Sequence, residues 1–318
     1  METLFAGVAI LLGGGLAALL TGYAPRPDGK PSGAWRVANR VGAASAAAGC
    51  AVALVPVVKV LVTGVTLSYG PVPWSVPYGS FAVELSPLSA WFALPILGLS
   101  LLAAVYGAGY LAGYADTRPL GPTWFFFNLL AASMLAVVVA RNGVLFLVAW
   151  EVMSLASYFL VTFEHRKADV REAGRVYLIA THLGTAFLLA LFVLLGRDAG
   201  SLDFAAIAAA GPISGTPADV LFLLALVGFG TKAGFMPLHV WLPEAHPAAP
   251  SHVSAVMSGV MIKTGIYGLV MTLGFLGPPP AWWGWLLIGV GVTSGVLGML
   301  FALAQHDLKR LLAYSSVE

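Results

Sequence analysis

The chain has 318 residues, of which 59% are hydrophobic and 9% charged, and its formal net charge is +2. A soluble domain carries roughly 25% charged residues, so this composition cannot cover a water-facing surface. It excludes a cytosolic enzyme, a nucleic-acid-binding protein and a disordered chain, and it predicts an all-α polytopic membrane protein. The single cysteine, Cys50, excludes a disulfide framework and a cysteine metal cluster.

Apolar segments of about 20 residues, long enough to cross a hydrocarbon core of about 30 Å, recur along the chain. They predict nine complete transmembrane helices and the start of a tenth at residue 308. The nine spans are residues 3–22, 37–62, 88–113, 122–140, 143–163, 176–196, 218–242, 252–275 and 282–304. Because the last segment is too short to cross a membrane, we expect the sequence to be a truncated product or a fragment.

Two linkers carry structural signals of their own. Residues 69–81 are expected to form a hairpin or loop outside the membrane, and residues 201–210 a short interfacial helix. Lysine and arginine are concentrated in alternate loops, which predicts that the amino terminus is outside and the basic loops are cytoplasmic. The basic side carries Arg26, Lys30, Arg36, Arg40, Arg118, Arg166, Lys167, Arg171, Arg175, Lys309 and Arg310, and the other side carries Arg141 and Arg197.

Ionisable residues inside a span cost at least about 2.5–3.5 kcal/mol each, so they indicate either structural pairing or an ion path. Glu151 lies near the middle of the fifth span, Lys232 in the seventh and Lys263 in the eighth. The histidines form a second group: His182 lies in the sixth span, His239 and His252 flank the break between spans seven and eight, and His165 and His246 lie in loops, where solvation is expected.

The seventh span contains signals that predict an interrupted helix. Three glycines, the last of them Gly234, precede Pro237, and Pro243 follows within two turns. Proline removes a backbone donor, and in a membrane the freed groups need protein or water as partners. Broken helices with a charge at the break are a common form of mid-membrane ion site. Lys232 lies just before this break.

Proton transfer between these groups is physically plausible. If Glu151 and Lys232 lie about 6 Å apart at an effective dielectric near 20, their attraction is roughly 3 kcal/mol. Movement of the carboxylate would then switch the lysine between holding and releasing a proton, with Lys263 and the histidines as further stations. The structural alternatives are a static buried ion pair, and for His182 a hydrogen bond to a neighbouring helix.

Three segments resemble one family closely: Thr231–Leu269 (TKAGFMPLHVWLPEAHPAAPSHVSAVMSGVMIKTGIYGL), Trp150–Val161 (WEVMSLASYFLV) and His306–Glu318 (HDLKRLLAYSSVE). The family comprises the antiporter-like membrane subunits of respiratory complex I, membrane-bound hydrogenases and multisubunit cation/proton antiporters. Within it, the segments are most similar to the branch of hydrogenase-4 component B and formate hydrogenlyase subunit 3. The resemblance extends from Leu88 to Glu318, whereas the first two spans match only in hydropathy.

The resemblance implies roles and a domain division. The family's proton relay falls on Glu151, Lys232 and Lys263, with His239 and His252 as further candidates. Family members contain two inverted five-helix repeats, and this chain would hold the first and only the start of the second, so that it would not complete a transmembrane path alone. The implied division is 1–87 (two helices and an external loop), 88–121 (third helix and linker), 122–276 (the five-helix proton-translocation repeat) and 277–318 (start of the second repeat).

The function expected from the resemblance is proton translocation in a hydrogenase or formate hydrogenlyase complex, driven by redox energy from a peripheral arm. We expect no cofactor in this chain, since one cysteine cannot hold an iron–sulfur cluster. The expected partners are other membrane subunits, the peripheral arm, the lipid bilayer of a bacterial or archaeal cytoplasmic membrane, and H⁺ or Na⁺. The alternatives are a complex I or Na⁺/H⁺ antiporter subunit, and a non-transporting anchor for a catalytic arm. Lys232 and Lys263 argue against an anchor.

Overall fold

Helices dominate the computed structural model, which describes residues 1–22, 34–115 and 118–318. The first six helices are α1 (Glu2–Gly22), α2 (Ala34–Thr63), α3 (Pro87–Ala112), α4 (Leu120–Val139), α5 (Gly143–Val161) and α6 (Ala168–Ala199). The remaining helices are α7 (Phe204–Ala209), α8 (Thr216–Ala233), α9 (Leu242–Ala248), α10 (Ser251–Val256), α11 (Lys263–Leu273), α12 (Ala281–Leu303) and α13 (Leu308–Val317). Arg26 and Lys30, which the charge count assigns to a cytoplasmic loop, lie outside the described residues.

Nine helical segments of the described chain are long and apolar enough to cross a membrane, which confirms a multi-pass, essentially all-α membrane protein. Their bounds follow the predicted spans closely, apart from the end of α8, which stops at Ala233 although the seventh span was predicted to reach residue 242, and the start of α6. This helix begins at Ala168, eight residues before the apolar segment. The charged residues of the additional turns are exposed, and an i,i+3 ion pair between Arg175 and Glu172 lies among them.

The predicted external segment is a hairpin. Strands β1 (Leu67–Pro73) and β2 (Ser80–Leu85) pair in antiparallel fashion, with a register irregularity between Tyr69 and Val72. The short helix expected within residues 201–210 is also present as α7. A hairpin and a short helix are therefore present in the two linkers where the sequence predicts them.

The start of α5 is fixed by a cap that also ties these linkers together. The side-chain oxygen of Asn142 accepts hydrogen bonds from the backbone N–H groups of Val144 and Leu145, which are free at a helix start. Its amide nitrogen donates to Asp203 at 2.8 Å and to the carbonyl of Tyr78. One residue therefore holds the hairpin, the segment before α7 and the helix that carries Glu151.

Helices α5, α6, α8 and α11 surround the candidate site, with α4 behind α5. Helix α4 is the most buried span and α12 the least. Close approach of α11 to α8 depends on Gly265, where a Cβ atom would lie only 2.5 Å from the carbonyl oxygen of Phe229. The rings of Phe146 and Trp150 pack edge-on against Phe229 at 5.9 and 5.5 Å, so an aromatic layer lies between α5 and α8.

Candidate functional site

Lys232 lies in the last turn of α8 and is only 2% exposed. Its Nζ donates to Oγ of Ser154 at 2.9 Å and to the hydroxyl of Tyr177 at 3.2 Å. The same nitrogen lies 5.6 Å from the ring centre of Trp150 and 5.5 Å from that of Tyr177. Hydroxyl oxygens and aromatic faces both stabilise a cation away from water. The site can therefore hold an ammonium group inside the membrane.

The hydroxyl chain extends beyond the lysine. The Tyr177 hydroxyl lies 2.5 Å from Oγ of Ser157, which in turn donates to the carbonyl of Met153. A hydroxyl both donates and accepts, so such a chain can pass a proton from one oxygen to the next. The sequence analysis missed Tyr177, Ser154 and Ser157. The available signal was the helical spacing of Trp150, Ser154 and Ser157 along one face of α5.

Glu151 turns its carboxylate toward α6. Its Oε1 accepts from Oγ1 of Thr185 at 2.5 Å, and its Oε2 lies 3.4 Å from Nε2 of His182. The side chains of Glu151 and His182 are 28% and 49% exposed, so this pair lies at the edge of the helix bundle. Within the described residues, no direct ion pair joins Glu151 to Lys232. Ser154, one turn along α5, makes the direct contact with the lysine instead.

The seventh span is broken where the sequence predicts it, and the structure adds how the break is stabilised. Helix α8 ends at Ala233, Gly234 has a φ of 81°, and α9 begins only at Leu242. The free carbonyl of Thr231 accepts from Nε1 of Trp241 at 2.8 Å, and the N–H of Met236 donates to Ser294 on α12. These contacts satisfy groups that lipid would leave without partners.

The break also determines the electrostatics at Lys232. Helix carbonyls without intrahelical partners give the C-terminal end of a helix a partial negative charge, which favours a cation in the last turn. Lys232 is one residue from that end. Pro237 lies within the interruption, and Pro243 lies in the first turn of α9, where its missing N–H costs nothing.

Lys263 does not join this buried cluster. It is the first residue of α11, separated only by Ile262 from a π-helical turn (Met257–Met261), and its side chain is exposed. It makes no hydrogen bond or ion pair with the residues that the structure describes. The neighbouring Thr264 links the two regions, because its Oγ1 contacts Sδ of Met153 on α5 at 3.7 Å. The sequence analysis predicted the eighth span as continuous and missed the π turn.

Two of the candidate histidines lie between aromatic and apolar groups. His252 is 1% exposed and packs against the rings of Tyr110, Trp124 and Phe127. Both of its ring nitrogens lack a hydrogen-bond partner among the described residues, as does Nδ1 of His239. Because buried polar nitrogens normally have hydrogen-bond partners, these are positions where a water molecule can bind.

His246 contradicts the prediction that it is solvated. It lies in α9, is 2% exposed, and its Nδ1 lies 3.3 Å from Oγ of Ser254. Burial, together with the nearby charge of Lys309, lowers the pKa of His246 to about 4, so the imidazole is neutral at neutral pH. The loop prediction failed because the segment after Pro243 forms a short helix rather than an exposed linker. His165, by contrast, is exposed as predicted.

Replacing Tyr177 with phenylalanine should slow proton movement at this site while the ring remains in place. The hydroxyl accepts from Lys232 and contacts Ser157, and a single such hydrogen bond contributes about 1 kcal/mol, or roughly a fivefold effect. Proton transport by vesicles that contain the intact complex is the measurement, and Tyr158→Phe on α5 is the matched control. If Tyr177→Phe transports protons at the wild-type rate, the hydroxyl chain has no role in proton transport.

Comparison with known proteins shows the family of the chain. Residues 140–318 match the family described as NADH:quinone oxidoreductase/Mrp antiporter, transmembrane. Hydrogenase-4 component B of Escherichia coli strain K12 is 43% identical over 244 residues, which cover 76% of this chain and 36% of that protein. Formate hydrogenlyase subunit 3 of the same strain is 32% identical over 240 residues, or 75% of this chain and 37% of that protein.

A solved structure resembles nearly the whole chain. A chain of the Mrp complex from Dietzia sp. DQ12-45-1b superimposes with a TM-score of 0.80 and 28% identity, covering 99% of this chain and 33% of that one. The chain therefore spans about a third of the length of these three proteins.

Proposed function

Because the chain belongs to the NADH:quinone oxidoreductase/Mrp antiporter family of transmembrane proteins, we propose that it is the proton-translocating, antiporter-like membrane subunit of a hydrogenase or formate hydrogenlyase complex. The proposal rests on one observation. Lys232 is buried at the end of a broken transmembrane helix, in direct contact with two hydroxyl groups. The similarity to hydrogenase-4 component B and to formate hydrogenlyase subunit 3 supports this type of complex.

In the proposed mechanism, Glu151 controls the charge on Lys232. The carboxylate is held by Thr185 and His182 on α6. Ser154, one turn along α5 from Glu151, makes the contact with Lys232 that Glu151 does not make in the described chain. Movement of the carboxylate toward the lysine favours the ammonium form, and movement toward His182 favours release of the proton. The released proton passes to Lys263 along hydroxyl groups and water. His182, His239 and His252 supply further stations in this proposal, since the ring nitrogens of an imidazole can both donate and accept a hydrogen bond.

The partners and location form part of the same proposal. Redox energy from a peripheral hydrogenase or oxidoreductase arm drives the movement of Glu151. Other membrane subunits transmit this energy to the chain, and the chain itself supplies no cofactor. The chain lies in a bacterial or archaeal cytoplasmic membrane with its amino terminus outside. Residues 122–276 act as the proton-translocation repeat, preceded by 1–87 and 88–121, and 277–318 begin the second repeat.

A cation/proton antiporter subunit is the second candidate, favoured by the likeness to a chain of the Mrp complex. A passive membrane anchor is disfavoured, because an anchor has no use for a lysine buried inside the bundle. Proton uptake into vesicles that contain the intact complex, measured with and without Na⁺, separates the three functions. We expect uptake that depends on the redox reaction and not on Na⁺. Uptake that requires Na⁺ would favour the antiporter, and absence of transport would favour the anchor.

A further inference from the structure

A groove of about 480 Å³ lies at the end of the helix bundle where α4 begins and α5 ends. Three basic side chains line it, those of Arg118, His165 and Arg171, and none of the described lining residues is acidic. The carboxylate of Glu164, next in the chain to His165, pairs with Lys167 at 2.6 Å. The groove therefore presents positive charge and fits an anionic group.

The two arginines of the groove have hydrogen-bond donors to spare. Nη1 of Arg171 donates to the carbonyl oxygens of His165 and Arg166 at 3.0 and 2.9 Å, while its Nε and Nη2 make no hydrogen bond with the described residues. The guanidinium of Arg118 lies 5.9 Å from the ring centre of Phe163 and has no hydrogen bond or ion pair within the described chain. Guanidinium groups bind phosphate oxygens through paired N–H donors. Both side chains are therefore available to a phosphate group.

Further along the helices, the groove is apolar. Phe126 on α4 stacks on Phe159 on α5, with ring centres 4.3 Å apart. Phe126 lies about 9 Å along the helix axis from Leu120, where α4 begins. Phe159 is 47% exposed, and Leu155 and Val148 continue the same exposed face of α5. The groove therefore joins a basic end, beyond the helix ends, to an apolar face within the membrane span.

We propose that this groove binds an anionic phospholipid, with its phosphate at Arg118 and Arg171 and one acyl chain along Phe126 and Phe159. Basic pockets at the membrane surface attract anionic lipid headgroups. The apolar half distinguishes a lipid from a soluble phosphate, which would leave the two aromatic rings uncovered. A volume of about 480 Å³ is within the usual range of small-molecule sites. Lipid binding here does not depend on whether the chain transports protons.

Photo-crosslinking in the intact complex tests the position and the headgroup. The complex is placed in phosphatidylcholine bilayers that contain a phosphatidylglycerol with a diazirine on one acyl chain, and the labelled peptides are identified by mass spectrometry after irradiation. We expect labelling of the peptides that carry Phe126 and Phe159. A phosphatidylcholine with the same diazirine is the comparison probe. Equal labelling of these peptides by both probes, or labelling by neither, would overturn the proposal.

Arginine variants test the charge. Arg118→Gln combined with Arg171→Gln should reduce labelling by the phosphatidylglycerol probe roughly 25-fold, about fivefold for each positive charge removed. The matched control combines Arg36→Gln with Arg40→Gln, which removes two exposed arginines near the start of α2 and should leave labelling unchanged. If the first pair fails to assemble, Arg118→Gln alone replaces it, with an expected reduction of about fivefold. An equal loss of labelling in the control would contradict a site at the groove.

Competition separates the lipid from a soluble phosphate. Excess glycerol 3-phosphate in the aqueous phase carries the same phosphate chemistry without an acyl chain, so it should not reduce labelling by the phosphatidylglycerol probe. Displacement of the probe by glycerol 3-phosphate would show a site for a soluble anion and would contradict the lipid assignment.

Discussion

Replacing Lys232 with methionine is expected to reduce proton transport by at least about a hundredfold, the lower range for loss of a group that transfers protons. Methionine has a similar length and no charge, so it can occupy the space between Trp150 and Tyr177 without a buried cation. The fold should therefore survive, and the variant should assemble. The measurement is acidification of vesicles that contain the intact complex, with the redox rate recorded in parallel.

Lys59→Met is the matched control for this prediction. Lys59 is an exposed lysine near the end of α2, and its Nζ makes no hydrogen bond or ion pair in the described chain. We expect it to transport at the wild-type rate. Loss of transport in both variants would point to a general effect of removing a lysine. Full transport by Lys232→Met would exclude that residue from the proton path.

Replacing Glu151 with glutamine should reduce transport by about tenfold or more. Glutamine keeps the shape and an oxygen that can accept from Thr185, so only the charge is lost. If Glu151 moves to about 6 Å from Lys232, at an effective dielectric near 20, its charge stabilises the ammonium form of the lysine by roughly 3 kcal/mol. Without it, the lysine loses the group that switches its proton affinity. Proton transport per electron transferred is the measurement.

Two further variants distinguish the effect of the charge of Glu151 from the effect of its position. Glu164→Gln removes a carboxylate that pairs with Lys167 in the loop before α6, and it should leave transport unchanged. Thr185→Val removes the hydrogen bond that holds the Glu151 carboxylate on α6, and it should alter the rate while the charge remains. If Glu151→Gln transported protons as fast as Glu164→Gln, the result would exclude a switching role for the Glu151 carboxylate.

The predictable part of this structure is the part that local sequence determines. Span positions follow from hydropathy, and the break after Lys232 follows from Gly234 and Pro237, because these residues act on their own backbone. The partners that stabilise the break, Trp241 and Ser294, were not predictable, since they depend on tertiary packing of distant segments. The start of α6 was misplaced because hydropathy marks the membrane and not the helix.

In the site, too, local sequence predicts some features and tertiary packing determines the others. Glu151 and Lys232 are conspicuous as charges in apolar spans, whereas Tyr177 and Ser154 are ordinary residues until the fold brings them to the lysine. The exposure of Lys263 depends on the π turn, and no residue type specifies such a turn by itself. His246 was misjudged because burial of a short helix depends on contacts with α10 and α13.

The central claim is that Glu151 and Lys232 act as one unit in proton transport. A double-mutant cycle tests it most directly: proton transport by the intact complex is measured for the wild type, Glu151→Gln, Lys232→Met and the variant with both substitutions. If the two groups act together, the double variant should transport no more slowly than Lys232→Met alone. If the fold reduction in the double variant equals the product of the two single reductions, the groups act independently. That result would contradict the claim that they act as one unit.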